Sequence, residues 1–251
     1  MLTTQRKKTI LEWLARDGQV LAAPLALSFG VSEDTIRRDL RELAAEGLLQ
    51  RVHGGALPAS SAVAPFSTRR ALESSGKSAI GMAAAAMISP GQIVMIDGGT
   101  TSAELVRHIP PDMSATVVTH SPTVAVALVD HPSIDVIMIG GRLYKHSIVN
   151  VGAAAIEAIS HIRADLYFMG VTGVHPAAGL STGDLEEAYV KRALAARSAE
   201  TVVLASMDKL NAASAYSIGE LTLAQTIVVE RQTDVAFKDA LESAGVNVVL
   251  A

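Results

Sequence analysis

The chain of 251 residues contains no cysteine, which excludes a disulfide framework, cysteine-ligated metal and a thiol nucleophile. Aromatic residues are scarce, with one Trp, four Tyr and four Phe, so a core must be built from small and branched aliphatic side chains. Charged residues make up only 18% against 49% hydrophobic, a balance that suits a sizeable buried core and argues against disorder. A formal net charge of −4 argues against a protein that coats nucleic acid without selectivity. No apolar core follows the basic residues Arg6, Lys7 and Lys8, as a secretory signal requires, and the alanine-rich run near 79–88 is too short to span a bilayer. The seven histidines are scattered and none sits in a metal-binding arrangement, so no metal and no other cofactor is expected. These absences describe a soluble cytoplasmic protein with no membrane partner.

What is present is unevenly distributed. Residues 1–55 carry eight Lys/Arg against seven Asp/Glu, and the remainder thirteen against eighteen, giving a slightly basic head on an acidic body. The head has three amphipathic segments. The first is 3–17, with Ile10, Leu11 and Leu14 on one face and Gly18 ending it. The second starts at Pro24, with Leu25 and Phe29 at i and i+4 and Gly30 supplying a turn. The third runs from Ser32 to about Ala45 with Ile36, Leu40 and Leu43 buried, and a strand from Leu48 to Val52 follows Gly47. The uncharged string GGALPASSAVAP, Gly54 to Pro65, reads as a linker. The expected division is 1–57 for the head, 58–75 for the connection and 76–251 for the body.

Three short helices joined by tight turns fit a helix-turn-helix whose third helix enters the major groove. Ser32 suits the N-cap, with Glu33 and Asp34 in the positive first turn. The buried face leaves Thr35, Arg37, Arg38 and Arg41 pointing outward, and an arginine fork matches guanine edges and phosphates. The same arginines can form surface pairs instead, since Glu33–Arg37 and Asp34–Arg38 are both i,i+4 with the acid first.

The body alternates branched-apolar runs with helical stretches. The runs are Ile93–Ile96, Thr116–Val118, Ile134–Ile139, Leu166–Met169, Thr201–Leu204, Thr226–Val229 and Val246–Leu250. The helices include Ser102–Ile109, Pro122–Val129, Ala153–Ile162 and Leu185–Ala199. Runs without polar alternation predict a mostly parallel sheet covered on both faces. Polar loops follow several strands: Asp97-Gly98-Gly99-Thr100-Thr101, Thr119-His120-Ser121, Gly140-Gly141 with Arg142 and Lys145 beyond, and Gly170-Val171-Thr172-Gly173. The first has the make-up of an anion cradle, with glycines for close backbone approach and a helix start offering N–H groups. Such Gly-Gly turns also occur with no ligand. His120 either pairs with a phosphate or sugar hydroxyl or makes a structural hydrogen bond.

The string VSEDTIRRDLRELAAEGLLQRVHGGA resembles the signature of the DeoR family of bacterial sugar-metabolism regulators, and the Val20, Leu25–Ala26 and Phe29 pattern upstream extends the match. The resemblance implies a winged helix-turn-helix, with Leu48–Val52 and His53–Gly55 forming the wing. It implies a DNA-facing set of Ser32, Glu33, Thr35, Arg37, Arg38 and Arg41, with Arg51 and His53 on the wing. One departure is Ala23, where a polar cap before Pro24 is expected. Residues 68–250 resemble the family's effector domain, an α/β, Rossmann-like fold similar to ribose-5-phosphate isomerases. There the phosphate loop maps to Asp97, Gly98, Gly99, Thr100 and Thr101, the threonine-polar-serine motif to Thr119, His120 and Ser121, and the Gly-Gly to Gly140 and Gly141. The later basic position maps to Lys191, and the Asp-Lys turn to Asp208-Lys209; Lys145 and Thr172 complete the expected pocket. The family commonly has serine where Gly98 stands and asparagine where His120 stands.

The implied function is a transcriptional repressor of a carbohydrate operon. It binds double-stranded operator DNA as a homo-oligomer, dimer or tetramer, and is released by a phosphorylated sugar or polyol. In that scheme Lys191 or Lys145 neutralises the phosphate and Asp97 accepts from sugar hydroxyls. The competing class is a sugar-phosphate isomerase carrying a DNA-binding head, which needs a positioned carboxylate to move a proton between carbons. The loop MGVTGVHPAAG after the Leu166–Met169 run has none. Glu186, Glu187 and Lys191 sit on one plausible helix face, where Glu187–Lys191 is also an ordinary i,i+4 pair, so an enzyme is not expected.

Overall fold

A computed structural model describes residues 2–60, 66 and 75–251; most of the expected connection, 61–65 and 67–74, lies outside them. The head consists of α1 (Thr3–Asp17), β1 (Val20–Leu21), α2 (Ala22–Phe29), α3 (Glu33–Ala45), β2 (Leu49–Val52) and β3 (Gly55–Pro58). Apolar positions at helical spacing bring Ile10, Leu14, Leu25, Ile36, Leu40 and Leu43 into one cluster closed by Val20, Leu49 and Ala56. Gly18 and Gly30 end α1 and α2 in the left-handed conformation, which glycine adopts without a Cβ penalty. The first turn of α2 begins at Ala22, capped by Leu21 without a side-chain bond, so Ala23 lies inside the helix and no polar cap is missing there.

The apparent linker starts later than its composition suggests. Gly55–Pro58 is a strand, paired antiparallel with β2 on one side and β1 on the other. Ala56 and Leu57 are buried, so the pairing has recruited uncharged residues that look like spacer. A Cβ on Gly55 would stand 2.0 Å from the Val20 carbonyl oxygen, so this close approach needs glycine.

The body begins with α4 (Ser75–Ala85), a helix of Ala, Gly and Ser whose weak periodicity hid it in the sequence. It continues through β4 (Ile93–Ile96), α5 (Thr100–Arg107), β5 (Ala115–Thr119), α6 (Pro122–Ala127), β6 (Ile134–Met138), β7 (Arg142–Tyr144), β8 (Val149–Val151), α7 (Ala153–Ser160) and β9 (Ala164–Gly170). After these come β10 (Gly173–His175), β11 (Gly179–Thr182), α8 (Leu185–Ala196), β12 (Ser198–Ala205), β13 (Tyr216–Gly219), β14 (Thr226–Val229), α9 (Val235–Ser243) and β15 (Asn247–Leu250). The seven expected strands form one parallel sheet in the order β15-β14-β12-β9-β4-β5-β6. One apolar cluster covers each face, the first around Tyr167, Met169 and Val203, the second around Val94, Ile96 and Phe168. β7 pairs with β8, and β11 pairs with β10 and β13, in small antiparallel sheets beside the main one.

Between the parallel neighbours β4 and β9 the order of strand addition reverses: β5 and β6 lie to one side, β12, β14 and β15 to the other. The crevice at the carboxyl ends of β4 and β9 is the topological switch point, where open α/β sheets bind ligands. Head and body touch through the segment after β12: Ala213 bridges Ala59 and its N–H donates to the Pro58 carbonyl at 3.5 Å. A cleft of about 440 Å³ between them is lined by the last turn of α1, Pro58, Ala59, Asp208 and Leu210 to Ala212.

Candidate functional sites in the head and the body

In the head, Ser32 caps α3 by accepting from the Thr35 N–H at 3.2 Å, and its hydroxyl lies 3.0 Å from that of Thr35. The arginines divide unequally. Arg37 donates to Glu33 at 2.6 Å and to Asp34 at 3.1 Å, so the expected Asp34–Arg38 pair is replaced by one fork that gathers both acids. Arg38, Arg41, Arg51 and His53 are exposed, and among the described residues their side chains have no hydrogen-bond or ion-pair partner. Arg51 stands in β2 and His53 at the turn between β2 and β3, beside α3 and on the wing. Behind this surface Arg6 of α1 makes a two-point contact with Asp39 of α3, at 2.5 and 3.1 Å, fully buried at the aspartate. Asp39 carried no sequence signal of burial beyond its place in the run of α3.

In the body the structure puts Asp97, at the end of β4, at the centre of a buried cluster. Oδ1 accepts from Gly98 N at 2.7 Å and from His120 Nε2 at 2.7 Å. Oδ2 accepts from Lys191 Nζ at 2.5 Å, Gly170 N at 2.9 Å and Tyr167 OH at 3.3 Å. Burial pushes the Asp97 pKa up, but the Lys191 charge and the His120 hydrogen bond outweigh it and hold the carboxyl well below its usual range. Burial, followed by the Asp97 and Glu187 charges, holds the Tyr167 phenol well above its ordinary value, so it serves as a donor.

Five donors fill a carboxylate that offers about four lone-pair positions. This corrects the expectation that Asp97 accepts from sugar hydroxyls; the residue ties the ends of β4 and β9 together. Lys191, expected at the phosphate with an i,i+4 pair to Glu187 as the alternative, instead donates to Asp97 and the Gly170 carbonyl, because α8 lies across the switch point. One of its ammonium protons is left over among the described residues. Glu187 takes the Thr182 hydroxyl.

The threonine-histidine-serine motif is also bonded internally. Thr119 donates to the Ile96 carbonyl and accepts from Ser121 N. The Ser121 hydroxyl meets Thr123 and the Ile148 carbonyl. His120, fully buried, puts Nδ1 at 2.8 Å from the Asn150 carbonyl. Thr172 donates to Ser181 and Ser214, away from the phosphate loop. Lys145 is exposed at the tip of the β7–β8 hairpin, and Gly140 and Gly141 lie exposed at the approach to it. In Gly141 (φ 147°) an added Cβ would sit 2.9 Å from the Val151 carbonyl.

The open groups cluster at the start of α5. Its cap, Gly99, has φ 117° and offers no side-chain cap bond. Among the described residues the N–H groups of Gly99, Thr100, Thr101 and Ser102 meet no acceptor and the Thr100 hydroxyl has no partner. Lys209, on the turn after β12, reaches Thr101 Oγ1 at 3.3 Å. Tyr167 and Asn150 join the site without having been expected there, and Glu187 was weighed only for the isomerase alternative. Among the described residues no group of three or more His, Asp or Glu side chains could hold a metal ion, and no helix is long and apolar enough to cross a membrane.

A winged helix-turn-helix joined to an α/β body with a polar switch-point crevice is the build of a ligand-responsive transcriptional regulator. The chain belongs to the DeoR family: a DeoR-like helix-turn-helix domain matches residues 6–62 and a DeoR C-terminal sensor domain matches residues 72–231. The HTH-type transcriptional regulator GlpR of Haloferax volcanii is 32% identical over 251 residues, covering 99% of this chain and 98% of that protein. The glycerol-3-phosphate regulon repressor of Escherichia coli K12 is 30% identical over 242 residues, 96% of each chain. Among solved structures, ribose-5-phosphate isomerase A of Methanocaldococcus jannaschii shares 15% identity over 53% of each chain with a TM-score of 0.40. These relatives are named as a transcriptional regulator and a repressor, and the isomerase alternative is not favoured, since the Asp97 carboxylate that it would use is already engaged by five donors.

Proposed function

We propose that this regulator is a cytoplasmic repressor whose body, from the start of α4 onward, binds a phosphorylated sugar or polyol and thereby releases the head from operator DNA. The observation that carries the reading is the uncapped start of α5. Four N–H groups and the Thr100 hydroxyl, without a partner among the described residues, stand at the switch point with two buried lysines, Lys191 and Lys209. A helix N-terminus of this kind favours a dianionic phosphate. Gly98 and Gly99 let the backbone approach it, while Gly140, Gly141 and Lys145 stand where the β7–β8 hairpin can meet the hydroxylated part of the ligand.

Lys209 links that cradle to the head. It touches Thr101, and the residues that follow it carry the Ala213 bridge to Ala59 and line the interdomain cleft. A ligand that draws Lys209 toward its phosphate moves this segment, and differential affinity for the two arrangements weakens operator binding. Arg38 and Arg41 on α3, with Arg51 and His53 on the wing, contact the DNA; paired heads in a dimer or tetramer match paired half-sites.

The relatives named for glycerol 3-phosphate make that compound the first to test. Thermal shift against phosphorylated sugars and polyols, followed by operator release with the best of them, checks the reading. A ligand at a hundred times its Kd raises stability by about 2.7 kcal/mol, and Thr100→Ala with Lys209→Met should abolish the shift while leaving operator binding intact. A shift that persists in that double variant places the pocket elsewhere.

A further inference from the structure

His120 is fully buried and each of its ring nitrogens faces an acceptor. Nδ1 is 2.8 Å from the Asn150 carbonyl, which can only accept. Nε2 is 2.7 Å from Asp97 Oδ1, whose carboxyl is held ionised. A neutral imidazole has one N–H and one lone pair, so either tautomer would set a lone pair against an oxygen; only the doubly protonated ring satisfies both contacts. The backbone supports the same arrangement, because Asn150 N donates to the His120 carbonyl at 2.8 Å and the Asn150 side chain donates to the Ile139 carbonyl.

The ring therefore clamps two parts of the pocket together: the phosphate loop through Asp97, and the β7–β8 hairpin through Asn150. The charged and titratable groups of the cluster it belongs to are Asp97 at the end of β4, which it contacts directly, and Lys191 on α8 and Tyr167 on β9, which bond to Asp97. Buried Glu187 on α8 completes them, its charge felt at Tyr167. With His120 protonated, the two acids and two cations cancel. Without that proton the cluster carries an extra negative charge beside the place where a phosphate must bind.

We propose that His120 is a positioning residue of the effector site, that it holds the phosphate loop and the β7–β8 hairpin together as a doubly protonated ring, and that effector affinity falls when the ring loses its proton. This deepens the reading of the body as a sugar-phosphate sensor and rests on it. His120 makes no contact with the ligand; it acts through Asp97 and Asn150. The consequence is a regulator whose response to its effector is coupled to cytoplasmic alkalinity.

The first test needs no ligand. Long-range ¹H–¹⁵N spectra of the full chain, with His120 assigned by comparison with His120→Asn, should show both ring nitrogens protonated near neutrality. A single protonated nitrogen overturns the proposal. The second test measures glycerol 3-phosphate affinity in the wild type and His120→Asn across the alkaline half of the range in which histidines titrate. The wild type should lose about tenfold relative to the variant as pH rises, the size of one charge-assisted contact. The phosphate proton of the ligand affects both proteins alike and drops out of the ratio. Parallel profiles overturn the proposal.

If glycerol 3-phosphate binds at no pH, the sugar-phosphate reading fails for that compound, and the unliganded melting curves decide the positioning role. A wild-type midpoint that falls with rising pH against a flat His120→Asn profile supports it, and parallel midpoints overturn it. Should His120→Asn fail to fold, His120→Gln replaces it in all three measurements, and if neither folds the ¹H–¹⁵N spectra of the wild type decide.

Discussion

The head and the body each bury an aspartate, and they satisfy it in opposite ways. Asp39 is held by a single arginine, Arg6, in a two-point contact between α1 and α3. The groups proposed to meet DNA, Arg38 and Arg41, are exposed on the same helix, and among the described residues their side chains have no hydrogen-bond or ion-pair partner. Asp97 gathers five donors from four separate parts of the chain, and its partners Lys191, His120 and Gly170 belong to the switch-point cluster proposed to support the effector site. In the head, scaffold and working surface are different residues. In the body they are one network. A mutation in the head can therefore remove function without stability, whereas in the body the two should fall together.

The largest expected effect follows from that contrast. Asp97→Asn keeps the shape but strands the Lys191 ammonium in the interior, joined by the His120 ring in the doubly protonated form proposed above, and breaking a buried ion pair costs about 3–5 kcal/mol. Asp39→Asn strands only Arg6 and should sit at the lower end, about 3 kcal/mol. Urea unfolding of the two variants in the full chain checks the order, and an equal or larger loss for Asp39→Asn would break the comparison. Asp97→Asn should lose its response to effector together with its stability. Acid tests the body's carboxylate without mutation, because the Asp97 pKa is held well below its usual range. A carboxyl whose folded pKa is depressed contributes stability that is present above its ordinary value of about 4 and lost as pH falls toward the folded value. The body should thus lose stability progressively below about pH 4, and Asp97→Asn should flatten that limb.

A smaller and cleaner effect belongs to the head. Arg38→Ala should weaken operator binding about tenfold or more, the worth of a good base or phosphate contact, with an unchanged melting temperature. Arg37→Ala should cost less affinity and lower the melting temperature slightly, because its fork is already engaged by Glu33 and Asp34. Fluorescence anisotropy with a labelled operator, beside thermal melts of the same variants, distinguishes the two. Equal losses for both would mean that Arg37 leaves its acids to reach DNA.

The contrast also explains what could be read from the sequence. Each of the seven strands of the parallel sheet contains a branched-apolar run, and the inner ones need no polar alternation because both faces are covered. The edge strand β6, by contrast, carries Asp135 and is largely exposed. α1 was legible to its ends, since a glycine stop and regular spacing are local signals. The short strands β7, β8, β10, β11 and β13 were not, because three or four residues of mixed polarity carry no period. The residues proposed to face DNA lie within one motif of the chain. The body's cluster joins Asp97 to residues 23, 70, 73 and 94 positions away, and no local pattern encodes such pairings. Family likeness pointed to Asp97 and Lys191 but could not reveal that they bond to each other.

Gly98 offers the smallest effect and the sharpest use of the comparison. In the head, a Cβ on Gly55 would collide with the backbone carbonyl of Val20, an obstacle that no side-chain change can move. In the body, a Cβ on Gly98 would stand 2.3 Å from Val149 Cγ1 and 3.2 Å from Ser121 Oγ. Its main obstacle is therefore one side chain on β8. Gly98→Ser should overpack this junction and cost about 1–3 kcal/mol. Val149→Ala leaves a small cavity by itself, yet in the double variant the serine hydroxymethyl group fills it. The two changes should then show a favourable coupling of at least about 0.5 kcal/mol, as contacting residues do. Additive losses in the unfolding cycle would mean that the backbone of the phosphate loop, and not Val149, forbids a side chain at position 98.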